Sequence, residues 1–124
     1  MAIEIFPPEA FARSKQGALF VDVREKSELD AEAYDVPALL HIPLGELENR
    51  FNEIPRDQDV VVVCHHGIRS LRAVHFLISL GFGNAVSMKY GMARWINSGF
   101  PIKKGMAQNK SNGVPPGFIS LDQL

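Results

Sequence analysis

Four consecutive valines, Val60–Val63, lead directly to the only cysteine of the chain, Cys64. An uninterrupted run of β-branched residues is typical of a strand that is buried on both faces of a parallel sheet. Apolar residues then recur at helical spacing, which predicts a helix that begins near Ser70 and ends at a glycine C-cap, Gly81. Cys64 is therefore predicted to lie at the carboxyl end of a parallel strand, where open α/β sheets bind their ligands.

The chemistry expected of Cys64 follows from the backbone around it. A five-residue loop between strand and helix turns N–H groups inward, and the first helical turn adds donors without intrahelical partners. Gly67 supplies the backbone freedom that a tight loop needs, and Arg69 adds a guanidinium suited to an oxyanion. We therefore expect Cys64 to be a reactive thiolate at neutral pH. The alternative is an inert cysteine at the end of a core strand, the commoner role of a lone cysteine.

The length and the cysteine count limit the class of protein. A chain of 124 residues is long enough for one domain with its own core and too short for two. One cysteine excludes an internal disulfide and argues against a dithiol oxidoreductase, which needs a second cysteine. The N-terminus lacks the pattern of a signal peptide, and no segment approaches the length of a membrane span. We therefore expect a cytoplasmic protein with no membrane partner.

Charge is distributed unevenly along the chain. Residues 1–59 carry thirteen Asp or Glu and six Lys or Arg, whereas residues 60–124 carry seven Lys or Arg and one acid, Asp122. The half that contains Cys64 is therefore basic, which would favour a thiolate and attract anionic substrates. The alternative is that folding mixes the two halves and cancels the field. No dense basic cluster with interleaved aromatics is present, so no nucleic-acid partner is expected.

The rest of the chain alternates strand and helix patterns, which predicts a parallel sheet covered on both faces. Residues 25–30 are expected to form a loop or a helical turn. Strands are predicted at residues 3–6, 18–24, 37–43, 60–63 and 84–88, and helices at 7–17, 44–54, 70–81 and 92–98.

Several segments together resemble a known family. Residues 64–70 resemble the active-site loop of single-domain rhodaneses, whose pattern is Cys-x-x-Gly-x-Arg-Ser. Residues 21–25 resemble the early Asp-x-Arg segment of that family, residues 41–44 its stretch before the middle helix, and residues 91–101 its closing signature. The resemblance runs from Ile3 to Ile102 in the order of the family.

The resemblance implies a rhodanese-like three-layer α/β fold, with a five-stranded, mainly parallel sheet and helices on both faces. It also implies a sulfurtransferase without a cofactor, in which Cys64 takes a sulfane sulfur from a donor, becomes a persulfide and passes the outer sulfur to a thiophilic acceptor. The donor would be thiosulfate, mercaptopyruvate, a small persulfide or a protein persulfide. The loop residues expected to bind the substrate are His65, His66, Gly67, Ile68, Arg69 and Ser70.

Residues outside the loop are expected to support or border the site rather than to act in catalysis. Asp22 and Arg24 end a strand at the same side of the sheet as Cys64, and we expect them to support the loop by hydrogen bonding rather than to act in catalysis. Tyr90 stands where the family tends to have a glycine and would place a phenol near the cleft. Residues 1–102 are assigned to the rhodanese domain, and residues 103–124 to a C-terminal extension that forms a tail or a docking segment.

The sequence also allows three alternatives to sulfur transfer: a metal site, a phosphatase and a non-catalytic module. A metal site at His65 and His66 is not expected, because adjacent residues do not converge easily on one ion and no second ligand cluster exists. A phosphatase is not expected, because related phosphatase loops have the spacing Cys-x5-Arg, whereas Cys64 and Arg69 are one residue closer. The alternative that stays open is a non-catalytic rhodanese-like module for protein interaction or regulation, in which the thiol is incidental.

Overall fold

The fold is built on two sheets, and the computed structural model describes it for residues 3–105. A central sheet of five strands and a small sheet of two strands are connected by five α-helices. The elements in chain order are β1 (Glu4–Ile5), α1 (Pro7–Lys15), β2 (Leu19–Asp22), α2 (Lys26–Ala31), β3 (Glu32–Tyr34), β4 (Leu39–His41), α3 (Leu47–Arg50), β5 (Val60–Val63), α4 (Ile68–Ser79), β6 (Ala85–Met88), α5 (Gly91–Asn97) and β7 (Ile102–Lys104).

The central sheet has the strand order β1-β6-β5-β2-β4, and all neighbouring strands are parallel. The valine strand β5 occupies the middle, where Val61 lies opposite Phe20 of β2, and Val62 lies opposite Ser87 of β6. A parallel sheet in an α/β fold is covered on both faces. The predicted five-stranded parallel sheet is confirmed.

The four valines of β5 are fully buried because both faces of the sheet carry helices. Val60 and Val62 belong to a core that includes Val74 and Leu77 of α4. Val61 and Val63 belong to a second core. That second core includes Ala10 of α1 and Met92 and Trp95 of α5. The prediction of a strand buried on both faces is therefore confirmed, and its alternating side chains divide the core into two layers.

Helix α4 begins two residues earlier than the sequence predicts, at Ile68. Its N-cap is Gly67, which has a φ of 93° and turns the chain sharply from the loop into the helix. The predicted glycine at its other end is confirmed. Gly81 has a φ of 91°, and the Phe82 N–H donates to the Leu77 carbonyl at 3.0 Å, the geometry of a Schellman motif.

Two other segments differ from the prediction. The helix predicted at residues 44–54 is reduced to one turn, α3, between two 3₁₀ turns, Leu44–Glu46 and Phe51–Glu53. Gly45, a poor helix former, lies at its start. The predicted loop or helical turn at residues 25–30 is a helix, α2, because Glu25 and Glu28 form a capping box at its N-terminus.

The small antiparallel sheet of β3 and β7 was not predicted, because three-residue strands carry too little alternation to recognise. Tyr34 lies opposite Ile102, and Glu32 opposite Lys104. Strand β7 thus extends two residues into the predicted C-terminal extension. Residues 106–124 of that extension lie outside the described residues, and the boundary at residue 102 stays a prediction.

Within residues 3–105, no helix is both long enough and apolar enough to cross a membrane.

Candidate active site

Cys64 follows β5 directly, and its sulfur lies inside the turn that leads into α4. The backbone N–H of Gly67 donates to Sγ at 3.0 Å, and the backbone N–H of Ser70 donates to it at 3.3 Å. Cys64 is only 1% exposed, so these bonds are shielded from water. Two N–H donors on one buried sulfur favour a negative charge on that atom.

A pair of buried serines lies next to the sulfur. The Ser70 Oγ lies 3.4 Å from the Cys64 Sγ, 3.1 Å from the Gly67 carbonyl and 2.8 Å from the Ser87 Oγ. The Ser70 hydroxyl can therefore accept the proton of a thiol or turn and donate to a thiolate. Ser87 was missed by the sequence analysis. The sequence does contain an indication of it, because Ser87 is a polar residue inside the otherwise apolar strand β6. A hydroxyl buried in such a strand needs a hydrogen-bond partner.

The carbonyl oxygen of Cys64 is held by two donors from other elements. The Tyr34 hydroxyl donates to it at 2.7 Å, and the backbone N–H of Met92 at 2.9 Å. Burial raises the pKa of Tyr34 well above its ordinary value, so the phenol keeps its proton and stays a donor. Tyr34 was also missed, because its strand β3 was not predicted.

The loop packs directly against the backbone at the start of α5. A Cβ at Gly67 would lie 2.8 Å from the Tyr90 nitrogen, and a Cβ at Gly91 would overlap the backbone of His65. The Ala93 N–H donates to the carbonyl of His65 at 3.2 Å. The two glycines therefore allow two backbone segments to touch, which fixes the loop without side chains.

Asp22 and Arg24 form a buried ion pair of 2.9 Å. Arg24 also donates from Nη2 to the carbonyl of Glu32 at 3.1 Å, and its guanidinium lies 5.4 Å from the ring centre of Tyr34. Among residues 3–105, neither side chain makes a hydrogen bond to the cysteine loop. The pair instead holds β3, which carries the tyrosine that binds Cys64, so its support of the loop is indirect.

The guanidinium of Arg69 is already engaged in an ion pair with Glu28. Its two terminal nitrogens donate to the two carboxylate oxygens of Glu28 at 2.8 and 2.9 Å, and about a third of each side chain is exposed. Mainly through this hydrogen bonding, Arg69 lowers the pKa of Glu28 from 4.5 to about 2. Glu28 was missed because it lies in a different segment of the chain, and nothing in the sequence indicates a contact with Arg69.

The remaining loop side chains border two separate pockets. His65 borders a pocket of about 300 Å³ together with Arg24 and Glu28. His66 and Ile68 border a second pocket, of about 260 Å³. Within residues 3–105, no group of three or more His, Cys, Asp or Glu side chains is placed to hold a metal ion.

Comparison with known proteins gives consistent matches. The sequence profile of the Rhodanese-like domain matches residues 7–98. A sulfurtransferase from Allochromatium vinosum is 34% identical over 87 residues, which cover 70% of this chain and 79% of that protein. A thiosulfate sulfurtransferase GlpE from Actinobacillus pleuropneumoniae is 32% identical over 102 residues, 81% of this chain and 92% of that protein. The crystal structure of a rhodanese-related protein from Thermoplasma volcanium superimposes with a TM-score of 0.72 at 32% identity, covering 81% of this chain and 96% of that one.

Proposed function

This chain belongs to the Rhodanese-like domain family, and from that premise we propose that it is a sulfurtransferase in which Cys64 carries the transferred sulfur. The family and the rhodanese-like fold, both predicted from the sequence, are confirmed. Relatives named sulfurtransferases support the activity. The observation that carries the proposal is the pair of N–H groups, from Gly67 and Ser70, that donate to the sulfur of Cys64.

The proposed reaction has two displacements at sulfur. The Cys64 thiolate attacks the sulfane sulfur of the donor, the sulfur–sulfur bond of the donor breaks, and sulfite leaves when the donor is thiosulfate. A thiophilic acceptor then attacks the outer sulfur of the Cys64 persulfide, and Cys64 leaves as a thiolate. Both steps begin or end with negative charge on the cysteine sulfur, where the N–H groups of Gly67 and Ser70 stabilise it.

Ser70 supports the same steps through its hydroxyl. When Cys64 is a thiolate, the Ser70 O–H can turn toward Sγ, 3.4 Å away, and the Ser87 hydroxyl can then donate to the Ser70 oxygen, 2.8 Å away. Because both hydroxyls are buried, water does not compete for these bonds. The loop would therefore hold a charged sulfur without a metal or another cofactor.

The spacing of the loop also bears on the phosphatase alternative. A phosphoryl group needs donors for three equatorial oxygens in its transition state. In this loop, the N–H groups of Gly67 and Ser70 already point at the sulfur, and the Arg69 guanidinium is occupied by Glu28. The arrangement is better suited to a persulfide than to a phosphate ester. A cytoplasmic location, expected from the sequence, stays a prediction.

The proposal predicts cyanide-dependent formation of thiocyanate from thiosulfate or glutathione persulfide, with negligible hydrolysis of aryl phosphates. Cys64→Ser should abolish turnover, because a hydroxyl cannot form a persulfide, and should leave the fold intact, because serine is close in size. Circular dichroism and thermal unfolding of the variant provide the control.

Two results would count against the proposal. Aryl phosphatase activity that disappears in Cys64→Ser, without thiocyanate formation, would establish the phosphatase alternative. A folded protein that transfers sulfur from neither of these donors nor from mercaptopyruvate would favour the interaction module.

A further inference from the structure

An exposed apolar surface lies directly beside the cysteine loop. Among residues 3–105, five large hydrophobic side chains are exposed, and three of them are at this place: Phe6, Ile68 and Tyr90, with 54%, 69% and 42% of their surface exposed. The ring centres of Phe6 and Tyr90 are 6.0 Å apart. Ile68 and Tyr90 border the same pocket of about 260 Å³. Contiguous exposed apolar groups on a small domain indicate an interaction site.

The backbone of Tyr90 supports this interpretation. Tyr90 is the only residue other than glycine among residues 3–105 with a positive φ, 65°. A positive φ favours glycine, which would adopt this conformation without strain. The backbone conformation of the turn therefore does not explain why the residue is a tyrosine. The exposed ring also makes little contribution to either core. Its position beside the cysteine loop, where it borders the same pocket as Gly67 and Ile68, does give it a use, as a contact for a partner.

The charge of this surface is positive. Residues 60–105 contain six basic side chains, of which Arg69, Lys103 and Lys104 pair with acids of the first half of the chain. The other three, Arg72, Lys89 and Arg94, form no ion pair with a described residue.

All three of these unpaired basic residues lie at the same surface. Arg72 and Lys89 border the pocket, together with one acid, Glu4. The guanidinium of Arg94 lies 4.6 Å from the ring centre of Tyr90, and the Lys89 ammonium lies 5.5 Å from that of Phe6. Of the six basic side chains in residues 60–105, folding therefore pairs three with acids and leaves the other three beside the loop.

We propose that this aromatic–basic patch, defined as Phe6, Ile68, Lys89, Tyr90 and Arg94, docks the sulfur acceptor, which is a protein segment carrying a cysteine among apolar and acidic residues. The inference rests on the proposed function. A protein cysteine supplies the thiophilic atom, and acidic neighbours complement the three unpaired basic residues. A second copy of this chain fits less well, because two basic patches repel each other.

The chemistry at the docked cysteine is a single displacement. The partner thiol loses its proton to solvent, and its thiolate attacks the outer sulfur of the Cys64 persulfide. A new sulfur–sulfur bond forms on the partner, the bond to Cys64 breaks, and Cys64 leaves with the electron pair as a thiolate. The patch takes no part in these bonds and acts only by raising the local concentration of the acceptor.

The test uses the full chain and two synthetic peptides. In one, a cysteine is flanked by leucine and glutamate; in the other, lysine replaces each glutamate. Cys64 is loaded with sulfur, loading is verified by intact mass, and kcat/KM is measured for transfer to each peptide and to 2-mercaptoethanol. We expect the acidic peptide to be used roughly tenfold more efficiently than the basic one.

Variants connect this preference to the patch. The double variant Phe6→Ser, Lys89→Glu should remove most of the preference and leave transfer to 2-mercaptoethanol unchanged. The fold should tolerate it, because Phe6 is exposed and makes no side-chain cap for α1. The matched control is Lys15→Glu, since Lys15 is the last residue of α1, at the opposite end of that helix from Phe6, and its ammonium lies 4.3 Å from the ring centre of Phe11. This control should keep the preference.

The outcomes separate the two proposals. The docking proposal fails, and the sulfurtransferase proposal stands, if a loaded protein uses both peptides equally. The same holds if the preference for the acidic peptide survives in the double variant. A protein that does not load would overturn the sulfurtransferase. In that case, binding to the patch is measured by fluorescence anisotropy, with the same two peptides carrying serine in place of cysteine. Equal affinities for the acidic and the basic peptide would reject the docking surface. Dimerisation that the double variant abolishes would assign the patch to a second copy and also reject the proposal.

Discussion

Arg69 is already paired with Glu28, and at the scale of single residues this ion pair sets how much positive charge the site offers to a donor. The bidentate contact occupies both terminal nitrogens of the guanidinium. Glu28 also accepts the backbone N–H of Glu25 at 3.0 Å, so it is fixed at the start of α2. A dianion such as thiosulfate must therefore compete with a carboxylate that is held in place.

Glu28→Gln should release Arg69 from this competition and lower the KM for thiosulfate by roughly threefold, whereas Arg69→Ala should raise it. The pKa of Glu28 is lowered to about 2, so the carboxylate is ionised in the native enzyme and the effect on KM should be constant at every assay pH above about 5.

The lowered pKa of Glu28 also means that the ion pair stabilises the fold above the ordinary pKa of 4.5, and that this contribution is lost as the pH falls toward about 2.

The control for this prediction is Glu53→Gln, which releases a different arginine, Arg50, from a 2.8 Å ion pair outside the site. Its KM should equal that of the native protein. An increase in KM for Glu28→Gln, similar to that of Arg69→Ala, would contradict competition and show that the pair acts only by holding the loop.

The site residues that the sequence predicts most directly are the contiguous ones of the loop, and the more distant pair, Asp22 and Arg24, makes no hydrogen bond to the loop among residues 3–105. Cys64, Gly67 and Ser70 lie in one loop, so their spacing alone indicates that backbone donors can meet the sulfur. Tyr34 and Glu28 reach the loop from 30 and 41 residues away. Contacts of that kind depend on how the elements pack, and a single sequence carries no signal for them.

At the scale of secondary structure, the contact between the cysteine loop and α5 is the one that holds the site together. The strand β5 was predictable because its four residues are all valine, and the helix α4 because its apolar residues recur at helical spacing up to Gly81. The short strands β3 and β7 were not, although β3 supplies Tyr34 to the site. Short elements take their structure from their neighbours, so their own residues indicate little.

Gly91→Ala should therefore disturb the site as well as the fold. Gly91 has a φ of 59°, and an added Cβ would overlap the backbone of His65, which cannot move without moving Cys64. We expect a loss of about 2–4 kcal/mol in the free energy of unfolding, measured with urea, and a loss of sulfur transfer in the protein that still folds.

Gly83→Ala is the matched control for that variant, because a Cβ at Gly83 would meet no atom within 4 Å and its φ is not positive. It should leave both stability and activity nearly unchanged. If Gly91→Ala behaves like this control, the close approach of the two backbones does not hold the loop.

At the scale of the whole molecule, the order of the strands decides the distribution of charge. The basic second half of the chain supplies β5 and β6, and they are inserted between β1 and β2 of the acidic half. Ion pairs also join the halves: Arg69 pairs with Glu28, and Lys104 pairs with Glu32 across the small β3–β7 sheet. Both alternatives weighed from the sequence are therefore partly correct: folding cancels much of the asymmetry, but basic charge persists beside the loop.

The central claim is that the Cys64 sulfur accepts a sulfur atom and holds it as a persulfide, and intact mass spectrometry tests it most directly. The protein is incubated with thiosulfate and, separately, with glutathione persulfide, and its intact mass is measured before and after cyanide is added. We predict a gain of one sulfur atom that cyanide removes and that Cys64→Ser does not show. A folded native protein whose mass is unchanged by both donors, or a gain that persists in Cys64→Ser, would contradict the account.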